Sequence, residues 1–344
     1  MQSLIQQAGQ LLIQTKNSPT PGGDPVAAAL VSLGLAQIDF HAGLHSFRQL
    51  ITPPAKNSLS TPGVPLGQIV TYGIVLAGLY ECAPKDVDAD AILEECYPNI
   101  LDGLEKVYAE SDPEEEGLIT LNDLEESFFP KSLIWTGLQD HKGPVAVQDP
   151  LLNSAAVWSN ECLIDIGTHL GHDVLELLQW NELAIYSINE KLWNEEQRIY
   201  QPYDLQKDTL LAGANIIGFM PMIGEIPDQD RAEEMLKILR GEVFQPLQLP
   251  HLSSPTHSPS DPGVDLYTAG KGGISIMANW LLYHGLGRYG MHAAAEKLKK
   301  DALQLMADQG FREAYHPVTG NTVPDADIPD LTAAAFCAYW LNEA

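Results

Sequence analysis

The chain has 344 residues, 45% of them hydrophobic, which allows a sizeable core and excludes a disordered polypeptide. Its formal charge is −27, from 46 acidic and 19 basic residues. Such a surface repels phosphate backbones and acidic headgroups, so neither nucleic acid nor a membrane is expected as a partner.

The opening stretch, MQSLIQQAGQLLIQTK, has glutamines between its apolar positions and no basic leader, so it does not read as a signal peptide. The longest apolar stretch, Val26 to Ala36, is too short to span a bilayer, and a cytoplasmic protein is expected. Helical periodicity recurs near 24–39, 69–82, 90–108, 153–170, 231–240, 273–287 and 331–342. Between these, Val174, Leu178, Ile185, Ile188 and Leu192 return at steps of three, four or seven, after a stop at Gly171 and a new start at Asp173. Leu298, Ala302, Leu305 and Met306 form another stripe, which Gly310 is placed to terminate. Alternating strand patterns are scarce. Two proline- and serine-rich stretches, 52–67 and 246–265, read as loops, and neither flanks a change of composition. The expectation is one all-α domain over residues 1–344, a toroid of paired helices.

Several motifs read as structure. DVDADA (Asp86, Asp88, Asp90) supplies first-turn acids to the following helix, where they suit its dipole. His41 and His45 lie one helical turn apart without a third ligand, and His169 and His172 straddle a helix end. Cys82, Cys96, Cys162 and Cys337 make no CxxC pair and are expected to be reduced and mostly buried. With no glycine-rich phosphate loop and no GxSxG elbow, neither a cofactor nor a metal is expected.

Three loops carry polar groups suited to a site. GFREAYHPVTG gathers Glu313, Tyr315 and His316 in a segment closed by Pro317 and Gly320. QDPLLN offers Asp149 and Asn153 at a helix start, where capping is the competing role. QPYDLQ offers Tyr203 and Asp204.

NWLLYHGLGRYGMHAAAEKL, followed by GFREAYHPVTG and LTAAAF, resembles the C-terminal third of bacterial mannosylglycerate hydrolase-like glycoside hydrolases, relatives of trehalase and processing α-glucosidases. YAESDPEEEGLITL, VQDPLLNSAAVWSNECLIDIGTHLG, EKLWNEEQRIYQPYDL and GFMPMIGEIPDQDRAEEML follow that family in order and spacing, so the likeness covers roughly residues 95–344. It implies an (α/α)6 barrel, a small-molecule substrate of glycoside or polyol-like type, and Glu313 at the place of the catalytic base. An inverting glycosidase needs such a base and a protonated partner carboxyl roughly 6.5–9.5 Å away. By the same resemblance Glu126 and Ser127 match a Glu-Ser pair, while Pro130, which has no proton to give, stands at the position of the acid. Asp123, Glu125, Glu126 and Asp140 are the neighbouring substitutes, and Glu126 and Asp123 are the expected catalytic partners of Glu313. In AGKGG, Lys271 stands where the family has arginine, and Ala269 and Gly270 where it has an aromatic pair; Lys271 and Tyr267 are expected to contact substrate. Pro329, Asp330 and Leu331 replace a Phe-Ser-Trp stretch. These departures leave a second reading open: the same barrel doing lyase, isomerase or cyclase chemistry, or binding a ligand without turnover.

Overall fold

Every stretch with helical periodicity folds as helix in the computed structural model, which describes residues 2–15, 26–52, 64–138, 143–242, 244, 254–259, 261–322 and 329–342. Parts of both expected loops (53–63, 246–253 and 260) and Asp140 lie outside the described residues. The described chain is mostly helical, at 61%. Its helices are α1 (Gln2–Thr15), α2 (Ala28–Ala36), α3 (Phe40–Ile51), α4 (Leu66–Ile69), α5 (Tyr72–Glu81) and α6 (Ala89–Ser111). They continue with α7 (Pro150–Leu170), α8 (Leu175–Ser187), α9 (Gln229–Leu239), α10 (Ile276–Arg288), α11 (His292–Gln309) and α12 (Leu331–Asn342). A 3-10 segment, Ile216–Gly224, precedes α9.

The ends follow local chemistry. Asp88 caps α6 by accepting from Ala91 N at 3.1 Å, and Asp90 is an acid of its first turn, the role expected of DVDADA. Gly171 (φ +77) and Gly310 (φ +75) end α7 and α11 in a conformation that side-chain-bearing residues avoid. Periodicity does not mark α1 or α3, although Asp39 caps α3 through Ala42 N, and Phe40, Leu44, Phe47 and Ile51 line its buried face. His41 and His45 point outward from that helix.

Burial separates two sets of helices. All nine residues of α2 are buried, whereas α11 buries a single stripe. The buried set makes a closed circuit of contacts: α2 on α5, α5 on α7, α7 on Ile216–Gly224, that segment on α10, α10 on α12, and α12 back on α2. Outside it, α3 packs on α2, α6 on α5, α8 on α7 and α11 on α10.

The connections alternate in length, and that alternation places the site. An inner element reaches its outer partner through a few residues, as at 37–39, 82–88, 171–174, 225–228 and 289–291. The return to the next inner element is long, as at 112–149, 188–215, 240–275 and 310–330. The long connections therefore precede the N-termini of inner elements and meet one another. A four-stranded antiparallel sheet of two-residue strands joins the first two of them. Single β-bridges, Asn215 to His257 and Ile274 to Tyr315, join the others. Among the described residues no helix is long and apolar enough to cross a membrane.

Candidate functional site

Where the long connections meet, two glycines allow a close approach. Gly270 sits against Lys131 and Ser132, where an added Cβ would come within 3.1–3.3 Å of backbone. Gly273 sits against Ala314, whose Cβ would be 2.9 Å away. Beneath Gly270, Ser132, Asn215 and His257 form a knot, each no more than 3% exposed. Ser132 Oγ lies 3.1 Å from His257 Nε2 and accepts from Asn215 Nδ2 at 2.9 Å, and Asn215 also touches the imidazole. Burial pushes the His257 pKa down to about 4, so the ring is neutral. Asn215 Nδ2 reaches the same ring nitrogen that faces Ser132, so the trio is a three-loop clamp and not a serine triad. Sequence reading had missed it because His257 falls in a loop defined only by its prolines and serines.

Around this clamp the fold brings together four of the expected residues. Glu313 is exposed, Tyr267 packs edge-on against His316 with centroids 4.8 Å apart, and Lys271 ends the Ala269–Lys271 turn beside Gly270. His316 Nδ1 accepts from Val318 N at 3.2 Å and Thr319 N at 3.3 Å. Its proton is thereby left on Nε2, and burial lowers its pKa.

Other expected residues have different work. Tyr315 is fully buried, and its hydroxyl is used within its own loop. Both amide hydrogens of Asn153 go to the Ile119 and Asp149 carbonyls, while its oxygen accepts from Ile119 N at 2.7 Å. Tyr203 donates to Asp208 under the Lys191 ammonium, and Asp204 closes the same hairpin turn through Gln206 N and Lys207 N. These side chains are occupied by the protein itself because turns and helix starts leave N–H groups that some acceptor must satisfy.

Two expected carboxylates lie on the 112–149 connection. Asp123 is exposed and accepts from Glu125 N at 3.0 Å. Glu126 is half-buried, and burial lifts its pKa above the usual carboxylate range despite the amides of Asp123 and Asn122. Its Oε2 is buried with no hydrogen-bond partner among the described residues.

Two further carboxylates cap inner helices. Asp330 caps α12 through Thr332 N at 2.9 Å; burial, and then the charge of Glu313, raise its pKa to about 6. In the sequence it had been only a departure from a motif. Asp149 caps α7 through Leu151 N at 2.8 Å and accepts from Ser127 Oγ at 3.1 Å, and burial pushes its pKa from 3.8 to about 6. A raised carboxyl pKa gives stability that is fully present below pH ~4 and lost as pH rises through ~6, here about 3 kcal/mol. Asp149→Asn keeps the cap and can donate to Ser127 while removing the charge. Melts at pH 4.5 and 7.5 are expected to show a higher Tm for this variant at pH 7.5 and a smaller difference between the two pH values. An unchanged difference would show that Asp149 is ionised at no cost.

A sequence model of the mannosylglycerate hydrolase MGH1-like glycoside hydrolase domain matches residues 68–333. Mannosylglycerate hydrolase of Thermus thermophilus is 30% identical over 179 residues, 52% of this chain and 42% of the relative. Its counterpart in Rubrobacter radiotolerans is 28% identical over 177 residues, 52% of this chain and 40% of the relative. The matched stretches thus span less than half of either relative. In three dimensions, the GH63 mannosylglycerate hydrolase from a second strain of Thermus thermophilus, solved with Tris and D-glycerate, superposes with a TM-score of 0.83 at 21% identity over 98% of this chain and 100% of that one. That likeness is one of fold.

Proposed function

This chain belongs to the mannosylglycerate hydrolase MGH1-like glycoside hydrolase family, and from that premise we propose that it hydrolyses a small glycoside in a single-domain (α/α)6 barrel, with Glu313 as general base and Glu126 as general acid. The reading is carried by the placement and state of these two carboxyls. The loop of Glu313 precedes α12 and that of Glu126 precedes α7, helices three places apart in a circuit of six. Carboxyls on the loops before opposite helices of the circuit would be able to bracket an anomeric carbon, as inversion requires. Their environments differ in the direction the chemistry needs. Glu313 is exposed, while Glu126 is lifted by burial and has an oxygen without a partner, which suits a carboxyl that keeps its proton.

In the reaction, Glu126 passes its proton to the glycosidic oxygen as the bond to the anomeric carbon breaks. Glu313 takes a proton from the water whose oxygen forms the new bond to that carbon. Tyr267 and Lys271 lie on the loop that pairs with the one carrying Glu313 and His316, with His316 Nε2–H and the lysine ammonium proposed as donors to sugar or aglycone. A small substrate is also favoured by the Tris and D-glycerate held in the Thermus structure.

The acid is tested through the leaving group. Glu126→Gln is expected to lose about 10²–10⁴-fold in kcat on methyl α-glycosides, whose leaving oxygen needs a proton. Activity on 2,4-dinitrophenyl α-glycosides, whose leaving group needs none, is expected to persist. Equal losses on both, or no loss on either, would remove Glu126 from this role.

A further inference from the structure

One side-chain oxygen ties together the start of the loop that carries Glu313. The Tyr315 hydroxyl donates to Gly310 O at 2.6 Å and accepts from Arg312 N at 3.1 Å, so one oxygen closes both ends of the tripeptide that leads into Glu313. Only a group that is donor and acceptor together can do this. The ring that brings the hydroxyl there is packed on all sides. Tyr315 is fully buried, and its backbone is paired in both directions with Ile274, Ile274 N to Tyr315 O at 2.8 Å and Tyr315 N to Ile274 O at 3.1 Å. From the other side, Asp330 N donates to Phe311 O at 3.1 Å and ties the same tripeptide to the start of α12. Residues 310–312 are thus held to two inner helices, through Ile274 two residues before α10 and through Asp330 at α12, while the side chain of Glu313 stays exposed.

We infer that Tyr315 is a positioning residue for Glu313: its hydroxyl fixes the backbone from which the proposed base reaches its water. This rests on Glu313 being the base. A base on an exposed loop has no packing of its own to set its geometry, and misplacement by about 1 Å can cost on the order of 10²-fold in rate. The hydroxyl supplies from below the constraint that solvent cannot supply from above.

Tyr315→Phe keeps the buried ring and deletes the oxygen. With 4-nitrophenyl α-D-mannoside and α-D-glucoside as probes, kcat is expected to fall about 10–100-fold with KM within about twofold of the parent. Exchange of the Arg312 amide with deuterium is expected to quicken in Tyr315→Phe and to stay slow in Glu313→Gln. Because the effect runs through Glu313, adding Tyr315→Phe to Glu313→Gln is expected to cost no further activity. A merely structural role predicts the opposite, an additive loss that follows the folded fraction. Unchanged kcat in Tyr315→Phe, or additivity in the double variant, overturns the inference while leaving the base intact. Full activity in Glu313→Gln overturns the base, and the inference with it, as does a parent inactive on both probes.

Discussion

Replacing Glu313 with glutamine is expected to lower turnover by about 10²–10⁴-fold while shifting Tm by no more than about one degree. Glutamine matches the shape of glutamate but cannot accept the proton of the attacking water, so the loss should appear in kcat more than in KM. Stability should barely move, because the side chain is exposed and the loop is fastened through Gly310, Arg312 and Phe311, none of which changes. One electrostatic consequence is specific to this site. Asp330 feels the charge of Glu313, so neutralising Glu313 should let the Asp330 carboxyl ionise more readily. Full turnover in Glu313→Gln, measured on the same 4-nitrophenyl glycosides, would exclude Glu313 from the mechanism.

The second large effect is expected far from the chemistry, where the circuit of inner helices closes. At Gly34 of α2 an added Cβ would lie 2.3 Å from Ala335 Cβ and 2.4 Å from its Cα on α12. Backbone cannot yield as a flexible side chain can, so any larger residue forces α2 and α12 apart. Gly34→Leu is expected to destabilise by about 3 kcal/mol or more, enough to remove a large part of a domain's stability. Gly287 of α10 is the control, with nothing within 4 Å of an added Cβ. There, Gly287→Ala should be neutral or stabilise by up to about 1 kcal/mol, since alanine lowers the entropy of the unfolded chain. Denaturant melts of both variants give the comparison. A Gly34→Leu protein as stable as its parent would mean that the α2–α12 seam does not close as described.

The sequence by itself determined most of the helices and the family. Helical periodicity is local, set by which residues return every three or four positions, and the caps at Asp88, Gly171 and Gly310 depend on atoms a few residues away. The ordered motifs from YAESDPEEEGLITL to LTAAAF identified the family for a related reason, since spacing along the chain is preserved where the fold is. Only the tertiary structure decided what each polar residue of those motifs does. Tyr315, Asn153 and Asp204 had the composition of ligand-binding groups, yet each is spent on backbone atoms, and Asn153's partner Ile119, 34 residues away, is one that no local pattern identifies. The Ser132–Asn215–His257 clamp gains its role from the meeting of three separate connections. Glu126 and Asp123 stand three residues apart with the same chemistry, and burial alone distinguishes them. The desolvation that lifts one carboxyl and leaves its neighbour in water belongs to the packed molecule, not to the order of its residues.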